Sequence, residues 1–171
     1  MDFMPLAKKR FSVRKYTDQP VEKEKLDVLL EAAQIAPTGA NKQPQKIYVI
    51  QSDEALAKLN ALSKCVFGAK TVMLFAYDTD EEWKNPLEEG VHAGVEDVSI
   101  VATHVMLAAE DLGLGSCWVN YFPNSKVEEA FNLPKNERVV LFLTLGYPAP
   151  DAAPAPLHDK NKPVESFVKY L

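Results

Sequence analysis

The longest predominantly apolar stretch of the chain runs from Val95 to Leu112, and its polar residues come in adjacent pairs: Glu96-Asp97, Thr103-His104 and Glu110-Asp111. Each pair follows the last by seven residues. That is nearly two turns of a helix, so the spacing predicts one narrow polar stripe. Val98, Ile100, Val101, Ala102, Val105, Met106, Leu107, Ala108 and Ala109 make up the rest of the circumference. A helix apolar over most of its surface is expected to be buried on most sides, with other elements packed around it. Gly113 supplies a left-handed stop. Charges break the stretch well short of the roughly 20 apolar residues of a membrane span.

Other segments follow the same logic. Asp2 is placed to cap a short helix over Phe3 to Arg10, with Pro5 tolerated near its start. Val21 to Ile35 reads as an amphipathic helix with Leu26, Leu29, Leu30 and Ala33 inward. Pro37 ends it. Lys46 to Gln51 reads as a strand, and Ser52 caps a helix over Glu54 to Ser63 with Leu56, Leu59 and Leu62 inward. The continuous apolar run Val72 to Ala76 predicts a buried strand. Tyr77 to Gly94 is acidic and irregular. Ser116 to Tyr121 and Arg138 to Gly146 predict two more strands, with a short helix over Lys126 to Phe131 between them. Four strands and at least five helices without βαβ alternation indicate an α+β fold. Past Pro148 the chain becomes a stiff proline-rich arm. Its end places Val164, Phe167, Val168 and Leu171 at helical spacing, and so short a helix must dock on something. An arm of this kind suits wrapping around a second subunit.

Length and composition narrow the class. A chain of 171 residues suits one domain with a full core, and 47% hydrophobic with 25% charged residues is ordinary for a globular protein. The net charge of −5 argues against a general nucleic-acid or anionic-membrane surface, so an anion would need a local basic cluster. Cys65 and Cys117 make no disulfide framework, and no apolar signal-peptide core opens the chain; a reduced, cytoplasmic setting is expected.

Arg10, Ser12 and Arg14 alternate, so an extended chain points two guanidinium forks and a hydroxyl one way, a suitable claw for a phosphate. The same pattern also suits a solvated basic turn. Ala36 to Pro44 is a stiff loop in which Asn41 and Gln43 each offer an amide donor and acceptor. These can read the edge of a planar heterocycle or simply bond the turn to itself. Trp83 is placed to line a lid over a pocket or to anchor its loop to the core. His92, His104 and His158 lack metal-ligand spacing and read as solvated or structural. Cys117 reads as a packed residue beside Trp118. Gly113-Leu114-Gly115 closes a helix, whereas a dinucleotide fingerprint opens one.

Four blocks together resemble the FMN-dependent nitroreductase family. Arg10-Phe11-Ser12-Val13-Arg14-Lys15-Tyr16 is similar to its N-terminal Arg-x-Ser-x-Arg-Lys-Phe block, and Ala33 to Pro44 to its Ala-x-x-Ala-Pro-Ser-x-x-Asn-x-Gln-Pro block. Asp97 to Trp118 resembles the long helix ending Leu-Gly-Leu-Gly-Ser-x-Trp. Val139 to Pro148 resembles the late strand ending Gly-Tyr-Pro, and the Lys160 to Leu171 tail fits as well. Thr38 stands where the family often has Ser, Gln45 where Trp is common, and Phe11 where a polar residue is frequent.

The resemblance implies a nitroreductase-like α+β fold: a mainly antiparallel sheet, a long buried central helix, and a C-terminal arm exchanged in a homodimer with FMN at the interface. Arg10, Ser12 and Arg14, in the block containing Phe11, would hold phosphate and ribityl, completed by Lys160 and Lys162. Asn41 and Gln43 would address the flavin edge, and Pro37, Thr38 and Gly39 would come from the neighbouring subunit. Ser116, Cys117 and Trp118 would lie along the ring, and Trp83 would border the substrate pocket. The implied activity is ping-pong reduction of nitroaromatics, quinones or similar acceptors by NADH or NADPH, with flavin N5 carrying the hydride and no catalytic side chain. A dehydrogenase, dehalogenase or oxidase on the same fold, or a flavin-binding regulatory protein, remain the alternatives.

Overall fold

The computed structural model describes residues 2–171. Five α-helices and four strands are formed among them, in the order α1 (Phe3–Lys9), α2 (Lys23–Gln34), β1 (Gln45–Ile50), α3 (Asp53–Leu62), β2 (Thr71–Asp78), α4 (Gly94–Asp111), β3 (Gly115–Val119), α5 (Asn124–Ala130) and β4 (Glu137–Gly146). The strands form one antiparallel sheet in the order β1-β2-β4-β3.

Helices cover both faces. Along β2, Met73 and Phe75 point into a core shared with α2 and α4, while Val72, Leu74 and Ala76 point into a second core with α3 and α5. This two-sided burial explains why β2 reads as an unbroken apolar run rather than an alternating one. A bulge lies opposite Phe75 and Ala76, which pair with Leu141 and Val139 and leave Val140 as the extra residue.

The helix stops and starts are local. Leu114 N–H bonds to Ala109 O at 2.8 Å across Gly113, whose φ is +74°, a left-handed closure of α4. Ser52 Oγ accepts the Ala55 amide at the start of α3. Asp2 takes the cap position of α1 but makes no capping bond.

Several expectations are corrected. In α2, Leu26, Leu29 and Ala33 are buried but Leu30 is 39% exposed, because the inward stripe is narrower than the leucine pattern. The polar pairs of α4 do not form one solvent stripe. Asp97 and Glu110 are buried while their neighbours Glu96 and Asp111 are exposed, because partners distant in sequence reach in. Glu110 meets Lys9 at 3.0 Å, and Asp97 accepts the Gly39 amide at 2.8 Å. Ile100, expected inside, is exposed. The C-terminal helix is a single 3-10 turn, Val164–Ser166, with Val164, Phe167, Tyr170 and Leu171 exposed. The proline-rich arm from Pro148 first runs along its own chain: Tyr16 bridges Pro148, Ala149 N–H bonds to Lys15 O, and Lys15 pairs with Asp151.

Candidate flavin site

Residues 10–16 are extended because they borrow the free edge of β3. Ser12 bridges Ser116, and Val13 N–H bonds to Ser116 O at 2.9 Å. Gly115 makes the approach close: a Cβ there would lie 2.6 Å from Val13 Cγ2 and 3.0 Å from Pro148 Cγ. The sequence-predicted claw is therefore held on a strand, but its members divide over two neighbouring cavities. Ser12 and Arg14 line one of about 200 Å³ with Ala155, Leu157 and His158. Arg10 lines the other, of about 520 Å³, with Lys8, His158, Asp159 and Asn161. Arg10, Lys160 and Lys162 make no ion pair or side-chain hydrogen bond among the described residues, and Arg14 spends only Nη1, on Ser12 O. Lys160 and Lys162 line neither cavity, whereas Arg10 and Arg14, unneutralised and on the same segment as the Ser12 hydroxyl, fit a phosphate group.

Cys117 lies beneath this claw and is buried. Burial pushes its thiol above the ordinary cysteine range, opposed by the Arg14 guanidinium and a hydrogen bond with Ser12. That suits a packed thiol rather than a nucleophile. Trp118 is half-buried, its indole N–H donated to Asn120 Oδ1.

The loop before β1 carries Pro37, Thr38, Gly39, Asn41 and Gln43. Thr38 Oγ1 accepts the Gln43 amide at 3.0 Å, and Gln43 Nε2 donates to Asn41 O at 3.3 Å, so the turn is partly bonded to itself. Ala40, Asn41 and Gln43 all have positive φ, a conformation that costs energy for side chains other than glycine or asparagine. Among the described residues the Asn41 side chain has no partner, which leaves its amide for a ligand. Trp83 packs closely on this loop: a Cβ added to Gly39 would lie 3.0 Å from Trp83 Cβ. Its loop is closed by Ala93 N–H to Trp83 O and by Glu82, whose carboxylate takes the Gly94 amide at 3.2 Å and lies 3.5 Å from His92 Nδ1.

The two groups of residues lie at opposite corners of the sheet. The Asn41 loop enters β1 at Gln45, which pairs with Tyr77 at one end of the sheet. The claw lies on β3, the opposite edge strand, at Ser116, which pairs with Leu145 at the other end. α4 spans the gap, holding Gly39 through Asp97 and α1 through Glu110. The thirteen residue-to-residue steps from Asp97 to Glu110 measure about 20 Å along the axis. In one chain the claw and the amide loop therefore stand well apart.

His158, which the sequence reads as solvated or structural, is half-buried and lines both cavities of the claw. A lone histidine without spacing gave no signal; only the path of the arm brings it there.

Comparison with known proteins bears on the family and the fold. The sequence model described as the nitroreductase family matches residues 7–67 and 59–147. A protein of Methanothermobacter thermautotrophicus, provisionally named an NADH dehydrogenase/NAD(P)H nitroreductase, is 30% identical over 95% of this chain and 85% of its own length. The crystal structure of a nitroreductase family protein from Clostridium difficile 630 superposes with a TM-score of 0.92 at 40% identity, covering 99% of this chain and 98% of that one. An FMN-dependent nitroreductase from Clostridium difficile R20291 superposes with a TM-score of 0.80 at 27% identity, covering 98% of each. With a family match across most of its length and the same fold throughout, the chain belongs to the nitroreductase family.

Proposed function

We propose that the protein is an FMN-dependent NAD(P)H oxidoreductase, working as a homodimer that reduces nitroaromatics, quinones or similar small acceptors. The carrying observation is the division of the two residue sets between opposite corners of the sheet, each offering half of what a flavin mononucleotide needs. A two-fold partner would bring the amide loop of one chain to the claw of the other, as isologous interfaces do. The names of the relatives, NAD(P)H nitroreductase and FMN-dependent nitroreductase, support the cofactor and the reductant.

In this reading Arg10, Ser12 and Arg14, with Lys160 and Lys162, hold the phosphate, and Phe11 packs within the same block. Ser116, Cys117 and Trp118 border the ring. Pro37, Thr38, Gly39, Asn41 and Gln43 approach it from the neighbouring subunit, with Asn41 offering its free amide to the ring edge. Trp83 holds that loop in place and borders the substrate side. When bound, FMN supplies the two-electron redox chemistry, so no side chain needs to act as a strong acid or base. Donor and acceptor sharing one seat gives parallel double-reciprocal lines.

The test begins with the purified protein. It should carry or take up FMN, bleach rapidly with NADH or NADPH, and have the solution mass of a dimer. Arg14→Ala should weaken FMN binding by roughly 1.5–3 kcal/mol through loss of a charge-assisted bond. A colourless monomer that refuses FMN rejects the proposal; bound flavin that never bleaches favours a regulatory flavin protein instead.

A further inference from the structure

We propose that His158 is an additional phosphate-recognition group, holding a phosphate monoester in its imidazolium form and making flavin retention pH-dependent. The inference rests on the FMN reading above. It starts from the turn Ala155-Pro156-Leu157-His158, closed by His158 N–H to Ala155 O at 2.8 Å. Proline as the second residue of such a turn presets its φ, so the turn is stiff and the imidazole is carried to a fixed place. That place is the wall between the two claw cavities. His158 is the residue common to both linings, with Ser12 and Arg14 on one side and Arg10 on the other. The Phe11 ring meets the imidazole edge-on with centroids 6.3 Å apart, which orients it further.

The charged groups facing His158 are Lys8 and Arg10 from the end of α1, Arg14 from the extended segment, and its neighbour Asp159. Asp159 Oδ1 is 4.0 Å from His158 Nε2 and is the only acid of this set. Cations therefore prevail around the two cavities. A phosphate dianion reverses that balance, and a protonated imidazole then gives it a charge-assisted donor. Ligand and proton should bind together. Because histidine changes charge between about pH 5 and 8, the gain is present in mildly acid solution and fades as pH rises.

Dissociation constants for FMN and riboflavin should be measured at pH 6.0 and 8.5 on the intact chain, as wild type, His158→Gln and His158→Arg. Comparison within one pH cancels the titration of the phosphate itself. His158→Gln should weaken FMN binding about fivefold to tenfold at pH 6.0 and less than about twofold at pH 8.5. Riboflavin, which lacks the phosphate, should bind all three proteins alike. His158→Arg, a permanent cation, should retain wild-type affinity at pH 6.0 and exceed it at pH 8.5. Equal FMN affinity of wild type and His158→Gln at pH 6.0 overturns the inference while leaving the FMN reading intact. Equal losses for FMN and riboflavin overturn it too, since they mark a packing role. A wild-type chain that takes up no FMN overturns the parent reading and this inference with it.

Discussion

Tyr16 shows how single residues hold the claw in place. Its hydroxyl donates to Val13 O at 2.8 Å and lies 2.8 Å from Thr144 Oγ1, joining the extended segment to β4. Burial pushes this phenol far above the ordinary tyrosine range, the Thr144 hydrogen bond opposing. Tyr48 is pushed up to about 12 by burial and by its hydrogen bond to Glu137. A raised folded-state value means that the fold favours the neutral phenol. This stability is complete below the ordinary tyrosine value near pH 10 and is lost as pH rises through the folded values. Urea unfolding should show stability falling from about pH 8.5 as the buried Cys117 thiol resists ionisation, and falling more steeply above about pH 10 as the two phenols join it. Tyr16→Phe should cost about 1 kcal/mol at pH 8 and make the alkaline decline shallower. An equally steep decline in the variant would contradict this role. The alternation Arg10, Ser12, Arg14 was legible in the sequence because an extended strand has a two-residue period. What strand they joined was not, because the partner, Ser116, lies a hundred residues away.

At the scale of elements, β3 is too short for its neighbour. It covers β4 only from Phe142 to Gly146, which leaves the bulged first half without a partner strand on that side. Side chains take over the open edge. Glu128 Oε1 accepts the Val139 amide at 2.9 Å, Asn124 Nδ2 donates to Val139 O at 2.7 Å, and Asn120 Nδ2 donates to Val140 O at 2.9 Å. This blunts an edge that would otherwise invite pairing with another chain. Asn124→Ala and Glu128→Ala should each cost about 1 kcal/mol in urea unfolding, and the double variant should scatter more light on concentration. A double variant as stable and as soluble as wild type would show that water serves the edge equally well. Most elements were legible because apolar periodicity and local stops define them: Gly113 and Ser52 act within a few residues of themselves. The C-terminal helix was not, since the helical spacing of Val164 to Leu171 needs a surface to dock on, and among the described residues Val168 alone of the four spaced positions is half-buried. The polar pairs of α4 misled for a related reason, as Gly39 and Lys9 bond to it from far away in sequence.

For the whole molecule, the arm has two parts with separable roles. Residues up to Asn161 lie against the chain's own claw, while Val164, Phe167, Tyr170 and Leu171 face outward. Removing residues 164–171 should weaken dimerisation and spare the phosphate contacts proposed for Lys160 and Lys162. Removing residues 160–171 should weaken both, as read by solution mass on dilution and by flavin titration. A short truncation that leaves dimerisation unchanged would remove the outward residues from the interface. The family-level site could be read from blocks of sequence, but its division between corners appeared only once strand order was known.

That division has a genetic consequence. If each flavin seat borrows its two walls from different copies, chains defective at Arg14 and chains defective at Asn41 should rescue one another. A mixed pair would inherit one seat with both lesions and one with neither, so two inactive stocks blended and reassembled would regain a fraction of the lost turnover.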